Sequence, residues 1–133
     1  MKESVTITLK GDAAYTVSGA MEREGDTLIL RYAEPLSLGM GAVETELTLS
    51  ADSALLRRSG AVRCHFRFQP GAVHTSVYET ALGSFPAELE THSLRSRLGK
   101  RGGVAELRYR LRLGGAAEEH RLRIQIQVEE AEK

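Results

Sequence analysis

The chain has 133 residues, of which 41% are hydrophobic and 27% are charged, and its formal net charge is zero. These values suit one soluble globular domain over residues 1–133, and they give no overall attraction to nucleic acid, an anionic membrane or an acidic substrate. A single cysteine, Cys64, excludes an internal disulfide. No segment resembles a secretory signal or a membrane span, so we expect a cytoplasmic location without membrane association.

Apolar and polar residues alternate along most of the chain, which is typical of strands with one buried and one exposed face. Gly25-Asp26 separates two such runs and indicates a hairpin turn. The alternation predicts strands at 5–10, 15–23, 27–33, 43–49, 54–59, 62–69, 74–80, 85–93, 105–113 and 121–128. At 94–98 the apolar face changes side, which predicts a bulge or a short helical turn.

These nine or ten strands are joined mostly by short turns, and no helical crossover supports parallel pairing. A single open sheet of this size would expose its apolar face and two edges. The sequence therefore predicts an all-β fold, a closed antiparallel barrel of about 8–10 strands, with a two-sheet sandwich as the competing arrangement.

Several short motifs resemble one known family over about residues 5–129. The motifs are Arg58-Ser59-Gly60-Ala61-Val62, Phe68, Gly71, Tyr78-x-Thr80-x-x-Gly83-x-Phe85, Thr91 and Tyr109. Together they resemble the YwiB-like family, a domain of unknown function. The resemblance implies a calycin-like, lipocalin-like β-barrel and brings no catalytic residues with it. Unlike lipocalins proper, the chain has no Trp and no secretory signal, so extracellular transport is not implied.

All four tyrosines have the parity assigned to the barrel interior. A buried phenol needs a hydrogen-bond partner, which a polar group, water or a ligand can supply. The candidate ligand-binding residues from this argument are Tyr15, Tyr32, Tyr78, Thr80 and Tyr109. The alternative is that side chains fill the interior and the phenols reach its rim. The sequence leaves both interpretations open.

Arg58 shares the parity of Leu56 and should point inward, where a guanidinium needs a carboxylate or several other acceptors. It is the sixth candidate site residue, because it can bind an anionic group of a ligand. Alternatively, it caps loop carbonyls at the barrel mouth.

Outward-facing basic residues follow several strands. They are Arg63, His65, Arg67, Arg108, Arg110, Arg112, Arg121 and Arg123. Such a face can bind phosphates, but no exposed aromatic residue accompanies it, and Glu44, Glu46, Glu88 and Glu90 can pair with it across strands. Ion-pair ladders are the favoured interpretation, and nucleic acid is not the favoured partner.

No motif for a metal, a cofactor or a nucleophile is present. The four histidines are scattered, and Cys64 alternates with Val62 and Phe66 as a small core residue. The sequence therefore favours a non-enzymatic cytoplasmic barrel that binds a small, partly apolar or amphipathic ligand or a protein partner. The alternatives are a module that binds RNA or another polyanion, and an enzyme with its site at the barrel mouth. A homodimer also stays open.

Overall fold

The protein, described by a computed structural model for residues 2–129, forms ten strands in one antiparallel sheet. The strands are β1 (Lys2–Lys10), β2 (Ala14–Glu24), β3 (Thr27–Ala33), β4 (Val43–Leu49), β5 (Ala54–Gly60), β6 (Cys64–Phe68), β7 (Val73–Thr80), β8 (Gly83–Gly99), β9 (Gly102–Leu113) and β10 (Ala116–Val128). A 3₁₀ helix, Leu36–Leu38, lies between β3 and β4. The predicted all-β antiparallel fold is confirmed.

The strand order is β6-β5-β4-β3-β2-β1-β10-β9-β8-β7. Every neighbour in this order is also a neighbour in sequence, except that β1 pairs with β10, with Val5 opposite Val128. The first and last strands therefore pair in the middle of the sheet. This pairing leaves β6 and β7 as the two edges.

The two edges meet and nearly close the barrel. Arg63 and Glu79 exchange two backbone hydrogen bonds of 2.9 and 2.8 Å between the start of β6 and the end of β7. Beyond the other end of β6, Gln69 N–H donates to Thr91 Oγ1 at 3.2 Å, and Gly71 N–H donates to the Thr91 carbonyl at 3.0 Å. The sheet is thus a wrapped, nearly closed barrel rather than a sandwich.

The alternating pattern sorts side chains between the interior and the surface, as the sequence predicts. Ile7 and Ile126 face each other across β1 and β10, and both are buried, as are Phe66 and Ile124. Burying each such side chain contributes about 1.5–3 kcal/mol, before the entropy of ordering it is subtracted. The interior of the barrel is therefore its hydrophobic core.

A bulge in β8 explains the change of face after residue 93. The register with β9 shifts between Thr91 and Ser93, and β8 then continues to Gly99. One extra residue reverses the parity, so Leu89 before the bulge and Leu94 after it both face the core cluster. A short helical turn at 94–98 was the wrong alternative, because these residues are strand.

Candidate functional site

A cavity of about 470 Å³ lies at one end of the barrel. Its rim includes Asp12 in the β1–β2 turn, and its deeper wall includes buried core residues such as Leu107 and Ile124. Sites for small molecules have volumes of about 300–1,000 Å³ and are mostly apolar with a few polar groups. The barrel interior is therefore hollow at this end, a point that the sequence leaves open.

A buried carboxylate, that of Glu34, lies behind the polar wall and contacts two of the residues that line the cavity, Tyr15 and Arg58. Glu34 follows β3 directly, and its N–H donates to the carbonyl of Val43 at 2.9 Å, which extends the pairing with β4. Its side chain is 0% exposed. Tyr15 Oη donates to Glu34 Oε1 at 2.8 Å, and Thr45 Oγ1 donates to Oε2 at 2.6 Å. With Arg58, these residues form what we call the Glu34 cluster.

Arg58 is the cationic member of the cluster. Its Nε donates to Glu34 Oε2 at 3.3 Å, and its side chain is 21% exposed. The strand register places Arg58 in one inward row with Thr45 and Tyr32. Burial is the largest single influence on the pKa of Arg58 and lowers it. The negative charge of Glu34 and smaller contributions from Cys64, Tyr32 and Tyr15 together outweigh burial, so the net shift of this pKa is upward. Arg58 therefore stays charged while it lines the cavity.

All four tyrosines line the cavity. Burial raises the pKa of Tyr15 and of Tyr32, and the carboxylate of Glu34 adds to both shifts. Burial also raises the pKa of Tyr109. Because these three phenols resist ionisation, they retain their O–H groups as hydrogen-bond donors over the physiological pH range.

Thr80 lies apart from the other five candidate residues. Its Oγ1 accepts a hydrogen bond from Leu82 N–H at 3.1 Å and donates to the Gly83 carbonyl at 3.4 Å, within the β7–β8 turn. It does not line the cavity. These contacts stabilise the turn, so the structure brings together Arg58 and the tyrosines but not Thr80.

Sequence reasoning missed two polar residues of the site, although parity marks both. Glu34 lies two positions after Tyr32 and continues its inward face. His120 lies two positions before Leu122, and its ring stacks on Tyr109 with centroids 5.3 Å apart. His120 Nδ1 lies 3.3 Å from Asp12 Oδ2. The histidine thus connects the wall of the cavity to its rim.

The described part of the chain, residues 2–129, has no group of three or more His, Cys, Asp and Glu side chains arranged to hold a metal ion. Within the same residues, no helix is long and apolar enough to cross a membrane.

Cys64 is buried, and burial raises the pKa of its thiol. A low pKa is what activates a reactive cysteine, so burial makes this thiol a poor nucleophile.

Fold and cavity together define a small antiparallel β-barrel with an amphipathic cavity at its mouth. The model of a family described as a domain of unknown function, DUF1934, matches residues 3–126, and the chain belongs to this family. The uncharacterized beta-barrel protein YwiB of Bacillus subtilis (strain 168) is 30% identical over 79 residues. That segment covers 59% of this chain and 56% of the length of the relative.

The crystal structure of the YwiB protein from Bacillus subtilis has the same fold. It matches with a TM-score of 0.85 and 23% sequence identity, over 97% of this chain and 94% of that chain. The YwiB-like resemblance read from the sequence is therefore confirmed. The calycin relationship and the cytoplasmic location stay predictions.

Proposed function

We propose that the barrel binds a small amphipathic molecule in the cavity at its mouth. The observation that carries the proposal is a cavity of about 470 Å³ whose wall combines leucines with the charged Arg58. The volume lies within the range of small-molecule sites. The apolar part of the molecule would contact Leu47, Leu56 and Leu111, which line the same cavity.

The polar wall favours a ligand whose head group accepts hydrogen bonds. The carboxylate of Glu34 already accepts bonds from Tyr15, Thr45 and Arg58, so its acceptor capacity is largely used. The hydrogen bond from Arg58 to Glu34 runs through Nε, so the two Nη groups lie outside this bond. Arg58 and Tyr109 therefore offer donors to the cavity. A carboxylate is a suitable head group, because a guanidinium binds it through two parallel hydrogen bonds.

The buried ion pair is a further argument for a binding role. Replacing a buried pair by apolar side chains of similar volume is often neutral or stabilising, so Glu34 and Arg58 are not explained by stability alone. Within the cluster, Glu34 holds the guanidinium at the wall, and Tyr15 and Thr45 hold Glu34. We infer that the cluster positions Arg58 for the ligand.

Calorimetric titration with decanoate and decan-1-ol tests the proposal, because these probes share a chain and differ in the head group. We expect decanoate to bind more tightly. Replacing both charged residues, Glu34→Gln with Arg58→Gln, avoids an unpaired buried charge and should weaken decanoate about 10- to 100-fold while leaving decan-1-ol nearly unchanged. Equal affinity of both probes for the wild type would exclude the anionic head.

A second pair of variants tests whether the cavity is the site. Leu111→Trp introduces a large side chain into the cavity wall and should abolish binding of both probes. Leu82→Trp is the matched control, because Leu82 is 91% exposed in the β7–β8 turn. Circular dichroism establishes that both variants fold. Unchanged binding by folded Leu111→Trp, or no binding of either probe by the wild type, would contradict the proposal.

A further inference from the structure

The outer surface of β8, β9, β10 and β1 concentrates positive charge. The strand register places Arg108 directly opposite Arg121, and Lys10 directly opposite Arg123. Arg95 and Arg97 extend the same surface on β8. The resulting basic face consists of Lys10, Arg95, Arg97, Arg108, Arg121 and Arg123.

The basic face is nearly devoid of negative charge. Among residues 2–129, Glu106 is the one carboxylate that lies between the cations of this face, opposite Arg95 and Arg123 on the neighbouring strands. Its Oε1 lies 3.5 Å from Arg123 Nη1. Asp12 at the adjoining rim contacts His120 instead. The other five cations of the face have no carboxylate within 4.0 Å in the described chain. The protein as a whole is neutral, so this is a local excess of charge.

Ion pairs do form elsewhere on the surface, but mostly not with the partners that the sequence suggested. Of Glu44, Glu46, Glu88 and Glu90, only Glu46 forms an ion pair within residues 2–129. Arg31 contacts both Glu22 and Glu46 at 3.0 Å, and Arg110 contacts Glu119 at 2.6 Å. These pairs are outside the basic face. Like charges directly opposite each other on neighbouring strands are destabilising. Arg108 opposite Arg121 and Lys10 opposite Arg123 therefore lower the stability of the free protein, and a bound polyanion would offset the repulsion.

We propose that the basic face binds the phosphate backbone of a nucleic acid duplex. Four strands are about 14 Å across at the usual spacing of about 4.8 Å, so one small anion reaches only part of the face. Arg95, Arg97 and Arg123 line a groove of about 400 Å³ together with Glu106, which is paired with Arg123. Three cations against one carboxylate leave the groove positive, so it can accept the edge of a backbone. Thr8 and Gln125 on the same outer rows add neutral hydrogen-bonding groups.

The remaining surface features favour a duplex over other polyanions. No aromatic residue belongs to the face, whereas single-strand binding uses aromatic side chains on which bases stack. The exposed large apolar side chains that would anchor a membrane surface or a protein partner also lie elsewhere. They are Leu36, Val73, Val77, Leu82 and Phe85. Contact with the charged backbone, without base recognition, is what the face supports.

Fluorescence anisotropy with a labelled 20-base-pair RNA duplex, and with a DNA duplex of the same sequence, tests the proposal. Contacts to five phosphates predict that affinity falls about 500-fold between 50 and 200 mM salt. The comparison of the two duplexes identifies the nucleic acid. Absence of binding to both at 50 mM salt, or tighter binding to phosphatidylglycerol vesicles, would overturn the proposal.

Two matched double variants distinguish binding by the basic face from a general effect of positive charge on the surface. Arg108→Gln with Arg121→Gln should make the dependence of log affinity on log salt concentration, the salt slope, less steep. The expected change corresponds to the loss of about two phosphate contacts. The control is Arg57→Gln with Arg67→Gln, which removes two exposed arginines from β5 and β6 and should leave the slope unchanged. The first variant should also melt no lower than the wild type, because it relieves repulsion. Equal losses of binding in both variants would refute the assignment to this face.

Discussion

Nε of Arg58 lies 3.3 Å from Oε2 of Glu34, and among the ion pairs of residues 2–129 this is the one whose carboxylate is fully buried. The pair joins the end of β3 to β5 across β4 and places a charge in the cavity wall. It therefore belongs both to the stability of the barrel and to its proposed ligand site.

Removing the carboxylate alone should destabilise the protein. Glu34→Ala leaves Arg58 partly buried without its partner, and breaking such a pair costs about 3–5 kcal/mol. Because Arg58 keeps some contact with water, we expect about 3 kcal/mol in urea unfolding. Glu44→Ala on the exposed face of β4 is the control and should change stability by less than about 0.5 kcal/mol. A loss of under 1 kcal/mol for Glu34→Ala would contradict the assigned role.

Alkaline pH should unfold the protein through its tyrosines. The pKa values of Tyr15, Tyr32 and Tyr109 are raised in the folded state, whereas in the unfolded chain they ionise near pH 10. Above pH 10 the unfolded state therefore binds fewer protons, and stability decreases by up to about 1.4 kcal/mol per pH unit for each tyrosine. Below pH 10 these groups contribute no pH dependence.

Absorbance at 295 nm, read alongside circular dichroism, checks this expectation. Tyrosinate from these three residues should develop together with loss of the β-sheet signal. Tyr32→Phe should make the decline above pH 10 less steep, since one ionising group is removed. Full ionisation of Tyr15, Tyr32 and Tyr109 near pH 10 in a protein that is still folded would show the assigned burial to be wrong.

Gly103 allows two backbones to approach closely at the start of β9. A Cβ at this position would lie 1.9 Å from the Arg97 carbonyl oxygen, and φ is +148°. We expect Gly103→Ala to cost at least about 2 kcal/mol in urea unfolding. Gly115→Ala is the matched control, because its φ is also positive, at +127°, but no atom beyond the adjoining residues lies within 4 Å of the added Cβ. Similar costs for the two variants would argue against the close approach.

Thr91 links the loop after β6 to β8 through hydrogen bonds. It is 1% exposed, and its Oγ1 accepts the hydrogen bond from Gln69 N–H. Thr91→Val keeps the shape but leaves that N–H without its acceptor, which should cost about 1–3 kcal/mol. Thr75→Val, on the exposed face of β7, is the control and should be nearly neutral. A neutral Thr91→Val would show that water replaces the hydroxyl.

The strand positions and the inward direction of Arg58 follow from local alternation, and these were predictable. The position of the bulge was not, because one extra residue at Thr91–Ser93 reveals itself only through the reversed parity downstream. The cavity also could not be read from sequence. Whether Leu111 and Tyr109 fill the mouth or surround a space depends on the curvature of the barrel, which alternation does not encode.

The Glu34 cluster was predictable in part. An inward Arg58 requires an acidic partner, and the parity of Tyr32 extended by two residues indicates Glu34. Against this, Pro35 directly after Glu34 is typical of a loop, and loop residues are ordinarily exposed. The backbone hydrogen bond from Glu34 to Val43 keeps this residue in the sheet and directs its side chain inward.

The incomplete join between β6 and β7 has a mechanical consequence. Hydrogen bonds close the join at its two ends, between Arg63 and Glu79 and between Gln69 and Thr91. Between these ends, residues 64–68 form no ladder with β7. Opening this join at the mouth breaks two backbone hydrogen bonds and the stacking of Phe66 on Tyr78, whose ring centroids are 6.3 Å apart. Separating β5 from β6 instead disrupts five residue pairs. Local opening of the barrel should therefore be easiest along this join, while the ladders between the other strands stay intact. Because Phe66 and Tyr78 on its two sides line the cavity, a ligand would have its side entrance here.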